Sequence, residues 1–399
     1  MKIKLSDVCT KITKGTTPTT LGMPFTLFGV NFVKSESITA IRELDRMKYA
    51  FIGAETHEKL KRSQLEENDI LFSMAGFYLG KTAIVQRDDL PANTNQAVAI
   101  IRVDESKADY NYIYYALSNR SIMQYVSSSV AQSAQPNFSL KQIGDLELDL
   151  WPMVVQKSIS ATLSALDDKI ANNTKINNNL EQMAQTIFKS WFVDFEPFGG
   201  VMPDNWQEVN LGDLCITITK GTTPTTLKRQ FTEQGINFVK AESILDDHSI
   251  DYGKLAFIDD ETNALLSRSV IHSDDIIFTI AGTLGRFSFV RDDLLPANTN
   301  QAVAIIRADK SKINPIALYS FFVGGLHSEF YTKNTQQAVQ ANLSLTTIKA
   351  LPLFLPPQKT LLEYTALTEP LLKMIFHNHA ENRNLANFRD SILPRLMSG

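Results

Sequence analysis

At 399 residues, with 44% hydrophobic and 21% charged side chains, the chain is long enough for two folded domains and ordinary enough in composition for both to be globular. Net charge is −4, and no segment is strongly basic: residues 1–150 carry 17 basic and 17 acidic side chains, 151–203 carry 4 and 5, 204–350 carry 13 and 17, and 351–399 carry 5 and 4. A nucleic-acid partner would not be held mainly by bulk phosphate neutralisation. No apolar run approaches the roughly 18 residues of a membrane span and the opening MKIKLSDV has no signal-peptide core, so a cytoplasmic protein without membrane contact is expected.

The first motif in chain order is the loop ITKGTTPTTL, Ile12 to Leu21, and the same ten letters return at Ile218 to Leu227. Each copy holds one glycine and no G-K-[ST] follows, which excludes a P-loop. Short hydroxyl and cationic side chains would suit base-edge and phosphate contacts if the partner were DNA, which makes Lys14, Thr16, Thr17 and Thr19, with Lys220, Thr222, Thr223 and Thr225, the candidates in that case. The competing reading is a rigid turn in which Pro18 or Pro224 and the threonines only satisfy the backbone. Cys9 and Cys215 occupy the same place in the two copies and read as small buried hydrophobes rather than a disulfide pair.

The repeat continues in register. GVNFVKSESI (Gly29–Ile38) matches GINFVKAESI (Gly235–Ile244); Lys34 and Lys240 suit phosphate contact or pairing with Glu36 and Glu242. SMAGFYLGK (Ser73–Lys81) matches TIAGTLGR (Thr279–Arg286), strands ending at a glycine with a basic residue, Lys81 or Arg286, at the far end of the loop. RDDLPANTNQAVAIIR (Arg87–Arg102) matches RDDLLPANTNQAVAIIR (Arg291–Arg307): NTNQ reads as a structural turn opening a β-branched core strand. YNYIYYALSNRSIMQYV has helical spacing. AQPNFSL (Ala134–Leu140) matches VQANLSL (Val339–Leu345), where Gln135, Asn137, Gln340 and Asn342 suit adenine edges or helix capping. Each copy is an α+β domain of about 150 residues, so a whole domain is duplicated in tandem.

After each copy the texture changes. From Met153 to Glu196 there is no proline or glycine, and Ile159, Leu163, Leu166, Ile170, Asn173, Asn177, Leu180, Ala184, Ile187 and Trp191 step by four and three, a coiled-coil seam on a helix about 66 Å long. After LPLFLPPQKTLL the second seam is expected along Leu367, Leu371, Met374, Asn378, Glu381, Leu385, Phe388 and Ile392, with a kink or late start at Pro370. Two such seams most simply bury each other, their asparagines fixing register. The expected organisation is a first domain over 1–152, a helix over 153–197, a second domain over 198–356 and a helix over 357–399. Antiparallel helices would relate the domains by a pseudo-twofold axis.

This order of elements, the G-T-T-P loops, the N-F-S-L…L-W-P…Q and N-L-S-L…L-P-P-Q exits, and above all LDDKIANNTKINNNLEQMAQTIFKSWFVDFEPF (Leu166–Phe198) resemble the specificity subunits of type I restriction-modification enzymes over essentially the whole chain. The resemblance implies two target recognition domains, each reading one half of a split site in double-stranded DNA, with Lys81 and Arg286 at what looks like the family's basic loop position and so as candidate DNA contacts. It also implies two spacer helices that set the gap and dock two methyltransferase subunits, which the restriction and translocase subunits join. Spacer and partner contacts would fall on Leu166, Ile170, Asn173, Asn177, Leu180, Ile187, Trp191, Phe192, Leu371, Asn378, Leu385 and Phe388. S-adenosylmethionine, ATP and Mg would sit on partner subunits, with no cofactor on this chain. Pro370 departs from the pattern. Residues that differ between copies, such as Phe77 and Tyr78 against Thr283, would tune half-site preference.

The chain lacks the Asp/Asn-Pro-Pro-Tyr/Phe signature of adenine methylation, its one Pro-Pro being Pro356–Pro357 after Leu355, and lacks any standard nucleophile arrangement. The six histidines are scattered, which argues against a metal site. A recognition subunit is therefore expected, alone binding DNA weakly. The alternatives are a specificity subunit of a methylation-only system, a coiled-coil adaptor that binds proteins only, and a stand-alone enzyme.

Overall fold

The computed structural model describes residues 1–39, 42–130, 137–325 and 342–397. The chain divides into two compact units, Met1–Asn172 with Glu381–Gly399, and Asn173–Ala380.

In the first unit the run VAIIRV forms the strand Val98–Val103, buried at every position except Arg102. A strand that is apolar on both faces must be covered on both. Alternation sends Ala99, Ile101 and Val103 into a core shared with helical residues such as Tyr112, Ile113 and Leu117. Val98 and Ile100 face a second core containing Val33, Leu71 and Val85. The sheet is antiparallel throughout, in the order Cys9–Lys14, Val98–Val103, Ile70–Ser73, Thr82–Ile84. A smaller sheet orders Phe25–Thr26, Ala50–Ile52, Val30–Val33 and Ala92–Thr94, its last pair parallel. Strand Lys2–Lys4 pairs with Glu147–Asp149, tying the beginning of this globular part to its end.

The aromatic stretch with helical spacing forms two helices, Tyr110–Ser118 and Arg120–Val130, parted at the extended Asn119. Asp109 caps the first by accepting from the Tyr112 amide at 2.8 Å.

The second unit repeats the plan. Cys215–Lys220, Val303–Ala308, Ile276–Thr279 and Phe287–Phe289 form the larger sheet. Ala256–Ile258, Ile236–Val239, Ala297–Thr299 and Val270–Ile271 form the smaller, and Gln207–Asn210 pairs with Pro352–Leu355. The expected tandem α+β domains are present. Cys9 and Cys215 are free and packed against the larger cores, and burial pushes both thiols up to about 12.

The long helices are Met153–Phe192 and Gln358–Met397, each of 40 residues and so about 60 Å long. The division between units falls inside both. Within the first unit the segments run antiparallel, with Asp167 bonded to Arg389 at 2.6 Å and Lys169 paired with Glu381 at 3.1 Å. Within the second they are again antiparallel. Asn378 donates to the Asn177 side chain at 2.8 Å, and Trp191 packs on Tyr364 at 5.7 Å between rings.

The first helix keeps the expected seam: Ile159, Leu163, Ile170, Asn173, Asn177 and Ala184 are buried, and Leu166, Leu180, Ile187 and Trp191 partly so. It stops at Phe192 rather than continuing to 197. Phe195 turns left-handed at φ 52°, and the rings of Phe192, Phe195 and Phe198 close around Trp206 at 5.3, 5.7 and 5.3 Å. The motif FKSWFVDFEPF is thus an aromatic knot that docks the helix end into the second core.

The second seam keeps Asn378 where it was expected but elsewhere lies one residue away, on Thr368, Leu372, Ile375 and Leu393 in place of Leu367, Leu371, Met374 and Ile392. Leu361, Tyr364, Thr368, Leu372, Ile375, Asn378 and Leu393 are buried, whereas Leu367, Met374 and Phe388 are exposed and Leu371 and Leu385 sit at the margin. Nor does the helix start late, since it runs unbroken through Pro370. That proline is exposed, as is Ala366, whose carbonyl loses the bond Pro370 cannot donate and can be hydrated instead. No helix among the described residues is long and apolar enough to cross a membrane.

Candidate nucleic-acid interface

The repeated GTTPTT loop is built by close approach. A Cβ on Gly15 would lie 2.0 Å from the Thr94 carbonyl oxygen, and one on Gly221 1.8 Å from that of Thr299, so only glycine fits. The Gly15 amide donates to Val98 at 3.2 Å and the Thr16 amide to Thr94 at 3.0 Å, which clamps the loop onto the NTNQ turn. Thr17 donates to the Gln96 side chain and Thr223 to Gln301. Pro18 and Pro224 are buried and begin the one-turn helices Pro18–Leu21 and Pro224–Leu227. Thr17 and Thr223 therefore serve the loop itself, as the rigid-turn reading held for them. Lys14, Thr19, Lys220 and Thr225 are left projecting into solvent.

Thr16 and Thr222 each have an arginine partner that the repeated loop motif does not contain. Arg62 donates to the Thr16 hydroxyl at 3.1 Å and Arg268 to Thr222 at 3.4 Å. The signal was present as a second Arg-Ser pair, Arg62–Ser63 and Arg268–Ser269, at the same offset as the opening motif. The NTNQ turn is structural. Asn93 is fully buried and donates to the Leu60 carbonyl at 3.1 Å, and Asn298 repeats this to Leu266 at 3.2 Å. Thr94 and Thr299 bond the carbonyls of Val33 and Val239, both at 2.8 Å.

Lys34 and Lys240 pair with the neighbouring acids, the second of the two readings. Their ammonium groups lie 5.5 and 5.2 Å over the rings of Phe25 and Phe231, with Glu36 and Glu242 at 3.5 and 3.8 Å. They remain about one-third exposed.

The second basic position differs between copies. Lys81 lies over Tyr78 at 5.1 Å and the exposed Phe77 at 5.9 Å. Arg286 is instead held by Asp246 at 2.6 and 2.8 Å and by the Ile244 carbonyl at 3.1 Å. In sequence register Ala40 corresponds to Asp246, and Lys81 in a loop one residue longer corresponds to Arg286. Arg286 is thus a structural cation in this conformation. Asn137 bridges to Ala75, while Phe138 and Leu343 donate to Met74 at 2.8 Å and Ile280 at 3.0 Å. This strap places Asn137 beside the loop that carries Lys81. Asn342 is likewise exposed; Gln135 and Gln340 lie outside the described residues.

Other charges are structural. Buried Asp69 receives Arg102 at 2.7 and 2.8 Å; burial raises its carboxyl above the usual range despite that partner. Asp275 receives Arg307 in the same way. Asp167 on the first long helix accepts from Tyr115 and Arg389, both at 2.6 Å, and Asp168 from Arg42 at 3.2 Å. Among the described residues no cluster of His, Cys, Asp or Glu could hold a metal ion. What the arrangement offers is two copies of a rigid platform displaying hydroxyls, amides and a few cations, which suits reading an edge rather than breaking a bond.

Comparison with known proteins gives this platform a family. Residues 1–182 and 203–360 match the type I restriction modification DNA specificity domain. The type I restriction enzyme MjaIX specificity subunit of Methanocaldococcus jannaschii is 24% identical over 336 residues, covering 80% of this chain and 75% of that protein. The HindI specificity subunit of Haemophilus influenzae is 22% identical over 414 residues, covering 85% and 87%. In fold, the chain is similar to the crystal structure of the S subunit of a type I restriction-modification system from M. genitalium, with TM-score 0.60 at 14% identity, covering 100% and 96%.

Proposed function

This chain belongs to the type I restriction-modification DNA specificity family and is a specificity subunit, and from that premise we propose how it divides its work. Residues 1–152 and 198–356 act as target recognition domains, each reading one half of a bipartite site in double-stranded DNA. The two long helices set the gap and dock two methyltransferase subunits, with restriction subunits joining through that complex. Methyl transfer with S-adenosylmethionine, and cleavage driven by ATP and Mg, take place on those partners.

The observation that carries this reading is the repeated loop platform. The same glycine cradle, seated on the same buried asparagine turn, displays Lys14 and Thr19 in one unit and Lys220 and Thr225 in the other. Identical loops maintained on two units suit reading two similar elements, and an inverted repeat presents such elements to a two-domain reader. Near-neutral charge fits a subunit whose partners supply much of the phosphate contact.

The test uses the assembled complex with its methyltransferase subunits. Thr19→Ala with Lys14→Ala should relax discrimination in one half-site, and Thr225→Ala with Lys220→Ala in the other. Relaxation of both halves by either pair, or of neither, would contradict the assignment.

A further inference from the structure

The two loop platforms differ sharply at one place. Between strands Phe25–Thr26 and Val30–Val33 the first unit raises a tip whose residues Leu27 and Phe28 are 92% and 82% exposed. The backbone that carries it is the same in both units. Gly29 and Gly235 sit at φ 140° and 139°, and a Cβ on either would lie 2.5 Å from the carbonyl oxygen of Ile52 or Ile258. The scaffold is repeated, but the displayed pair is Leu-Phe in one unit and Glu233-Gln234 in the other. The fold does not need the apolar pair, because the second unit forms the same turn without it.

We propose that Leu27 and Phe28 form a wedge that enters duplex DNA and unstacks one base step in the half-site read by the first domain, a deformation absent from the other half-site. The proposal rests on the reading of these domains as DNA readers. Apolar side chains such as Leu and Phe, inserted between base steps by proteins that also bring cations to the duplex, partly unstack the bases and kink the DNA.

Two cations lie against residues at the root of the tip. Phe25, at the root of the tip, is pinned edge-on against Phe32 at 5.2 Å with the Lys34 ammonium 5.5 Å above its ring, and Lys59 lies 3.9 Å from the Met23 sulfur. Glu36 and Glu55 pair with these two lysines at 3.5 and 2.7 Å, and phosphates would take over as their partners. In the second unit Phe231 and Lys240 keep the root geometry, but the Glu233 carboxylate stands at the tip and would repel phosphate. Charge complementarity to DNA therefore favours insertion at the first tip and opposes it at the second.

The experiment uses the complex with its methyltransferase subunits and a duplex bearing its methylated motif. 2-Aminopurine is placed in turn at each position of both half-sites except the methylated adenines, which methyltransferases flip on their own account. We expect a severalfold fluorescence rise at one step of one half-site, abolished by Leu27→Ala with Phe28→Ala and untouched by Glu233→Ala with Gln234→Ala. Both pairs lie on exposed tips, so unchanged thermal midpoints will show that the variants fold. No rise anywhere, or a rise that survives the Leu27/Phe28 double variant, overturns the wedge. Loss of DNA-free assembly with the methyltransferase in that variant also overturns it, and makes the tip a protein contact. A wild-type complex that still methylates its motif leaves the recognition reading standing when the wedge fails; a complex with no sequence-specific binding overturns both.

Discussion

At the scale of single residues, the opening loop is explained by what cannot be added to it. A methyl group at Gly15 or Gly221 would lie 2.0 or 1.8 Å from a backbone carbonyl oxygen, so the backbone itself would have to shift. Gly15→Ala should cost its unit about 3 kcal/mol in chemical denaturation, and Gly221→Ala should do the same to the other unit. An unchanged midpoint would mean that the cradle relaxes freely. The Lys14 side chain is exposed and makes no bond among the described residues, so Lys14→Ala should leave stability unchanged while lowering the salt slope of DNA binding by the assembled complex by about one. His379 tests a different link. Burial leads the lowering of its pKa below the ordinary 6.5, Arg291 and His248 add to it, and Asp247 and Glu181 oppose it. The unfolded chain therefore takes up a proton that the folded unit resists. Stability of the second unit should be full above 6.5 and fall as pH drops below it, and His379→Gln should flatten that profile in thermal melts. These residue roles were only partly legible in sequence. The exact repeat singled out the loop, yet periodicity says nothing of which threonine turns inward, and Arg286 became a structural cation through Asp246, a residue forty positions away.

At the scale of elements, the two long helices show where pattern reading works and where it slips. The first seam was legible because its apolar and asparagine positions have no rival stripe. On the second helix Leu367, Met374 and Phe388 form an exposed apolar series at heptad spacing, one residue from a buried series diluted by Thr365, Thr368 and Asn378. Hydrophobicity alone favours the wrong series; the register is decided by Leu361, Tyr364, Leu372, Ile375 and Leu393 meeting apolar cores. The Asn177–Asn378 pair then fixes how the segments slide, since both side chains are buried and bonded to each other. Asn177→Leu alone should cost about 1–3 kcal/mol by leaving a buried amide without its partner. Asn177→Leu with Asn378→Leu should recover that loss while weakening the preference for one register. A denaturation double-mutant cycle reads the first effect, and additive single costs would show that the pair is not coupled.

At the scale of the whole molecule, the duplication was the most legible feature, because it is written in identical letters and needs no packing argument. The aromatic knot around Trp206 was not, since the rings of FKSWFVDFEPF meet a residue beyond a glycine break. If the helices are a ruler, inserting seven residues into each should widen the recognised gap. Each insertion adds about 10.5 Å of helix, close to three base pairs. The measurement that tests the account most directly is methylome sequencing of cells expressing this chain with its cognate methyltransferase subunits. The account predicts a single new split motif whose halves are similar, inverted and separated by a fixed gap. A motif with two unrelated halves would contradict the reading of the duplicated platforms. No sequence-dependent modification, with the complex shown to be assembled, would contradict the account as a whole.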